Sequence, residues 1–106
     1  MDRVELRVAV HHDDAETVVA ISGELDMSNA DQLADSVTDE LGKRPARVVL
    51  DLADLTFCDS MGLRTFLLLS RSAETQQTYL TLRNPSPSFT RMVAITGVES
   101  ALNISG

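Results

Sequence analysis

The sequence predicts an α/β fold: a small mixed β-sheet packed against helices, in the order ββαβαβαβ. Three observations carry this. The chain opens with apolar residues at every second position, the period of a half-buried strand. Three later stretches repeat apolar residues at helical spacing, and each lies between short runs rich in Val, Leu and Ile. Finally, 43% of the 106 residues are hydrophobic, with no internal repeat, linker or low-complexity tract. That suits one domain over residues 1–106 with a single core, long enough to fold without disulfides or a structural metal.

In VELRVAVHH, Val4, Leu6, Val8 and Val10 share one strand face. The polar HDDAE turn leads into TVVAISG, a second strand that is antiparallel to the first because the connection is so short. Ser28 is the expected N-cap of the first helix, and the acids after it suit the positive end of the dipole. Ala30, Leu33, Ala34, Val37 and Leu41 form its stripe, and Gly42 sits where a C-terminal glycine belongs. ARVVLDL follows Pro45, and its continuous apolarity predicts a central strand covered on both faces. A second helix is expected from about Ser60 to Glu74, with Leu63, Phe66 and Leu67 facing the core and Leu68 and Leu69 widening the apolar surface. TYLTLRN is the next strand. In SPSFTRMVAITG, Ser86 caps, Pro87 fits the first turn, and Phe89, Met92, Val93 and Thr96 make a stripe ending at Gly97. ALNI is read as a last edge strand. Helices between strands imply crossovers and parallel pairs after the antiparallel opening hairpin.

Nine Lys+Arg against 16 Asp+Glu give a net charge of −7, the wrong sign for a phosphate backbone. One Tyr and three Phe offer no stacking platform for bases. Nucleic acid is therefore not an expected partner. Cys58 is the only cysteine, so no intramolecular disulfide is possible. MDRVELRVAV lacks the basic start of a signal peptide, and no apolar run approaches the roughly 20 residues of a bilayer span. The expectation is a soluble cytoplasmic protein that does not enter a membrane.

The stretch TFCDSMGLR sets an acid, a hydroxyl and a glycine between two apolar runs. Ser60 within it admits three readings: a helix cap, a nucleophile, or a substrate. A serine hydrolase needs a base within hydrogen-bond reach, and Ser60 lacks the preceding glycine of a G-x-S-x-G elbow, since Phe57, Cys58 and Asp59 stand before it. The only histidines, His11 and His12, belong to the opening hairpin. As adjacent strand residues they point to opposite faces and are poorly disposed to chelate one metal ion. Cys58 ends an apolar run and reads as a small core residue. No phosphate-binding glycine motif is present, and no cofactor is expected. Glu24 and Asp26 in GELD end one strand, and Asp59 and Ser60 occupy the matching place one unit later; in an α/β sheet such turns can converge.

ISGELDMSNADQL, followed by VVLDLADLTFCDSMGLRTF and by a helix after NPSP, resembles the STAS family, and within it the bacterial anti-sigma-factor antagonists. The match covers nearly the whole chain and rests on the order and spacing of these motifs. The resemblance implies a STAS-like single domain without catalytic activity of its own, a monomer or weak dimer. It implies a partner, an anti-sigma factor that is also a serine kinase, whose binding releases the sigma factor. The kinase phosphorylates the serine of D-S-x-G and so blocks binding, and a serine phosphatase restores it. Carried over by motif, Ser60 is the phosphoacceptor, with Asp26, Asp59 and Gly62 as its environment, and Met61, Leu63 and Arg64 lie on or beside the partner interface. Met61 stands where many members carry a second Ser or Thr, and many members continue past the position of Gly106 into a further helix. The alternative implied by the family is a STAS scaffold or accessory subunit of a transport or signalling assembly with no phosphorylation cycle; such members often lack the acceptor serine.

Overall fold

The computed structural model describes residues 4–105. Strands β1 (Arg7–His12) and β2 (Thr17–Leu25) form the antiparallel hairpin, and Asp13 closes its turn by accepting from the Ala15 and Glu16 N–H groups at 2.9 and 2.8 Å. Helix α1 (Ala30–Gly42), β3 (Arg47–Cys58), α2 (Ser60–Thr75), β4 (Tyr79–Arg83), α3 (Pro87–Thr96) and β5 (Ile104–Ser105) follow, with a 3₁₀ turn at Glu99–Ala101 before the last strand. The sheet order is β1-β2-β3-β4-β5, and every pair after the hairpin is parallel. The predicted element order and central position of β3 hold. ALNI begins in the 3₁₀ turn, so only Ile104 and Ser105 pair at the edge.

The three crossovers step the same way across the sheet, and right-handed connections therefore put all three helices on one face. Val48, Leu50 and Leu52 join that core, whereas Val49 points to the other face. The strand is buried on both faces over this run, as its apolarity predicted, although helices cover only one of them. Val49 is only 5% exposed because Val18 and Thr81 flank it in register. Beside it the Arg47 guanidinium sits 5.0 Å over the Tyr79 ring. A continuous apolar run thus arose without a second helical layer.

Between the sheet and its helices the core holds Val19, Ile21, Leu25, Leu33, Val37, Leu41, Phe66 and Leu82, all buried. Phe66 meets Phe89 edge to face at 5.6 Å, joining α2 to α3, a contact worth about 0.5–1.5 kcal/mol beyond area burial. Several sequence expectations shift at this level. Val4 lies before β1 and is exposed. On α2, Leu69 is core, Leu67 only half-buried and Leu68 exposed, so the buried stripe runs 63, 66, 69 and 73. Gly42 ends α1 without left-handed geometry; Arg44, at φ 56°, makes that turn. Both ends of α3 are as expected, since Ser86 Oγ accepts from the Phe89 N–H at 3.1 Å and Gly97 closes the helix at φ 73°, but of its stripe Thr96 is exposed while Phe89 and Val93 are buried.

Two register shifts add residues to β3 opposite β2, between Ala20 and Ser22 and between Gly23 and Glu24. Each breaks the in-out alternation, leaving Ala53 with Asp54, and Thr56 with Phe57, exposed in succession. Gly23, at φ 90°, lets the segment before β1 lie across it: a Cβ there would stand 2.1 Å from the Glu5 carbonyl oxygen.

At the far end of the sheet, Glu40 of α1 is buried and accepts from His12 Nε2 at 2.7 Å and Lys43 Nζ at 3.1 Å. The His12 hydrogen bond holds its carboxyl below the ordinary 4.5, against burial, with Lys43 assisting. A lowered folded-state pKa means the ionised form contributes stability above 4.5 and loses it as the pH falls through the folded value. Urea unfolding is expected to show Glu40→Gln less stable than the parent near neutral pH, with the gap closing progressively below pH 4.5.

Candidate functional site

Parallel strands end on the same side of a sheet, so β2 and β3 deliver their following turns together. Leu25 pairs with Cys58, and the Asp59 N–H donates to the Leu25 carbonyl at 3.2 Å. The GELD turn and the start of α2 are thereby neighbours, as the sequence spacing suggested. Thr56 Oγ1, donating to the Gly23 carbonyl at 3.0 Å, fastens the two strands just before they diverge.

The helix cap is Asp59. Its Oδ1 accepts from the Gly62 N–H at 2.8 Å, while its Oδ2 accepts from the Met27 N–H at 3.3 Å. One carboxylate therefore caps α2 and holds the preceding turn. A cap of this kind is worth about 0.5–2 kcal/mol. Ser60 is the first helical residue: it is exposed, and among the described residues its hydroxyl has no hydrogen-bond partner. The cap reading of Ser60 thus passes to Asp59, and the serine itself stands open to another molecule.

Asp26 does different work. Its Oδ1 accepts from the Ser28 N–H at 2.9 Å and the Ser28 hydroxyl at 2.6 Å, and its own N–H donates to Asn29 Oδ1 at 2.9 Å. Ser28 is consequently a turn residue. Asn29 takes the N-cap position of α1 and spends its side chain on the turn, with Nδ2 donating to the Glu24 carbonyl at 2.9 Å. Glu24 Oε2 lies 3.5 Å from the Val4 N–H, aimed at the N-terminal segment.

Gly62 is buried where α2 meets β2 and β3. A Cβ would come within 2.7 Å of Cys58 Sγ and 2.9 Å of Leu25 Cγ and Cδ2. Gly62 thus makes a close approach to side chains, in an ordinary helical conformation. Cys58 is half-buried; burial, then the adjacent Asp59 charge, pushes its thiol up to about 12. A thiol so disfavoured as thiolate is a packing residue.

Among the residues expected to face a partner, Met61 is 44% exposed and Arg64 is exposed. Leu63 is corrected: at 4% exposure it belongs to the core, because its place one turn along α2 turns it toward the sheet. Met27, which the motif reading did not single out, is 75% exposed beside this group. Its apolar side chain between GELD and an expected cap was the available signal. Phe57, exposed by the second register shift, could not be found that way because alternation alone gives no warning of a bulge.

The histidines lie at the opposite end. His12 pairs with Thr17 at the start of β2, eight residues from Leu25, or about 26 Å along the strand. No Ser–His pair forms with Ser60, and the nucleophile reading falls on geometry. Among the described residues no group of three or more His, Cys, Asp or Glu could hold a metal ion. No helix among them is long and apolar enough to cross a membrane.

Comparison with known proteins agrees with this architecture. The family model described as "Mlab, STAS domain" matches residues 8–104. A STAS-domain containing protein of Pseudomonas aeruginosa is 30% identical over 93 residues, 88% of this chain and 91% of that one. The anti-sigma-B factor antagonist of Bacillus subtilis is 28% identical over 102 residues, 96% of this chain and 93% of its own. The crystal structure of an anti-sigma factor antagonist from Mycobacterium paratuberculosis superposes with a TM-score of 0.81 at 25% identity, over 94% of this chain and 85% of that one.

Gly62→Ala is expected to destabilise the fold by about 1–3 kcal/mol, although alanine favours helices, because Leu25 is fixed in the core and cannot yield. Denaturant unfolding checks this; an unchanged midpoint would show that α2 can lift off β2 freely.

Proposed function

The chain belongs to the STAS domain family, and on that premise we propose that it is an anti-sigma-factor antagonist switched by phosphorylation at Ser60. It binds an anti-sigma factor of serine-kinase fold in the cytoplasm and so frees the sigma factor. The kinase then uses its own ATP to modify Ser60, which ends the complex, and a serine phosphatase resets the protein. The observation that carries this reading is the exposed, unpartnered Ser60 hydroxyl at the first position of a capped helix.

The chemistry of such a switch follows from the surroundings. A phosphate adds about −1.5 to −2 charges and three acceptor oxygens. The N–H groups and dipole of α2 favour that anion by roughly 0.3–2 kcal/mol. The Asp59 carboxylate opposes it: two unit charges 4 Å apart cost about 4 kcal/mol at an effective dielectric of 20, before screening by salt and water. Asp59 already receives the Gly62 and Met27 N–H groups, which spread part of its charge. On these magnitudes the free fold tolerates the modification. A partner that has desolvated Met61 and the serine does not, since it must bury or repel a new dianion.

Incubation with the ATPase that co-purifies from the chain's own cells, together with ATP, is expected to add one phosphate, located by peptide mass on Ser60. Ser60→Glu should abolish binding of that ATPase, and Met61→Asp should weaken it while leaving the melting temperature nearly unchanged. Phosphate on another residue, or full binding by Ser60→Glu, would overturn the proposal. A large loss of stability in Met61→Asp would instead make Met61 a structural residue.

A further inference from the structure

We propose that Met27 is a contact residue of the same partner interface as Ser60, and that Asp59 is the positioning residue that holds it there. This rests on the anti-sigma-factor reading of the site. An exposed methionine on a loose loop would be ordinary surface. The turn carrying Met27 is not loose. The Asp26 N–H donates to Asn29 Oδ1, the Met27 N–H to Asp59 Oδ2, the Ser28 N–H to Asp26 Oδ1, and the Asn29 N–H to the Asp26 carbonyl at 3.2 Å. Asn29 Nδ2 adds the bond to the Glu24 carbonyl that ties the turn to β2. Each backbone N–H from Asp26 to Asn29 is therefore engaged, while the side chain between them is 75% in water.

A rigid mount for an exposed apolar side chain is the arrangement that lowers the ordering cost of an interface, because the backbone is already fixed before the partner arrives. Methionine supplies a flexible, polarisable surface that adapts to what it meets. The decisive bond is the one from Met27 to Asp59, since it crosses between two elements far apart in sequence. Asp59 uses its other oxygen on Gly62, in the first turn of the helix that begins with Ser60. A single carboxylate thus sets the distance between the Ser60 helix and the Met27 turn. It acts through those two amides and is not assigned any contact with the partner.

The test is a double-mutant cycle with Met27→Ala and Asp59→Asn, read by equilibrium binding to the ATPase purified from the chain's own cells. Asparagine keeps one oxygen for the helix cap and turns an N–H group toward the Met27 amide, releasing the turn. Met27→Ala is expected to weaken binding roughly tenfold, the size of a truncated interface anchor, at an unchanged melting temperature. Asp59→Asn should accelerate hydrogen exchange at the Met27 amide in the free protein, weaken binding, and cost nothing more once Met27 is alanine. Should Asp59→Asn not fold, Asp59→Ser keeps a capping oxygen and serves in its place. Additive losses would overturn the positioning role of Asp59. Full binding by Met27→Ala beside a weakened Met61→Asp would overturn the inference and leave the anti-sigma-factor reading standing. If Met61→Asp and Ser60→Glu also bind fully, that reading falls and the inference with it.

Discussion

The site depends on the Asp59 carboxylate, which takes the Gly62 N–H of its own turn and the N–H of Met27, 32 residues before it in the chain. Without an acceptor there, the first turn of α2 would expose an uncapped amide, and the Met27 turn would lose the Met27 N–H bond that ties it to that helix. Both amides sit at the edge of the structure, where water competes. The net gain is therefore about the size of a helix cap, and its importance lies in geometry rather than total stability. It fixes Ser60, Met61 and Met27 relative to one another.

What makes that bridge possible is the parallel pairing of β2 with β3. Their ladder runs from Thr17 opposite Val48 to Leu25 opposite Cys58, so the chain emerges twice at one edge. The same rule of right-handed crossovers puts α1 and α2 side by side on one face, where Leu33 and Phe66 share the core. The close seat of α2 on β2 requires Gly62, because Leu25 and Cys58 occupy the space a methyl would need. Leu25, Leu63 and Phe66 anchor the serine end in the core, while Ser60, Met61 and Met27 stand at its exposed surface. Such an end can accept a charged modification without disturbing the core, as the proposed switch demands.

Much of this was legible in the residues. Period-two alternation located β1, the run TVVAISG after a polar turn located β2, and helical stripes located all three helices, with α2 starting at Ser60 as expected. Ser86, Pro87 and Gly97 carried enough local chemistry to define α3 at both ends. Caps with competing candidates were harder. In the run Ser28–Asn29 and again in Asp59–Ser60, two residues of good capping type stand together, and tertiary contacts chose between them. Asn29 was drawn to the Glu24 carbonyl and Asp59 to the Met27 amide, neither of which a local pattern contains. The bulges of β3 escaped for a related reason, since its apolar run masks the register on which exposure of Phe57 depends. Leu63 was read both ways, as core from the stripe it shares with Phe66 and as interface from its place in the motif, and its burial follows the stripe.

Asp26 and Asp59 thus divide between them the tasks of shaping one turn and joining two, while Ser60 keeps an unengaged hydroxyl. Phosphorylation would act on a preformed surface and require no refolding of the domain. The most direct measurement is calorimetric titration of the partner ATPase with protein stoichiometrically phosphorylated on Ser60, beside a thermal scan of both forms. The account predicts that binding is lost while the melting temperature of the phosphorylated domain stays close to that of the parent. Equal affinity of the two forms, or a domain that unfolds once phosphorylated, would contradict it.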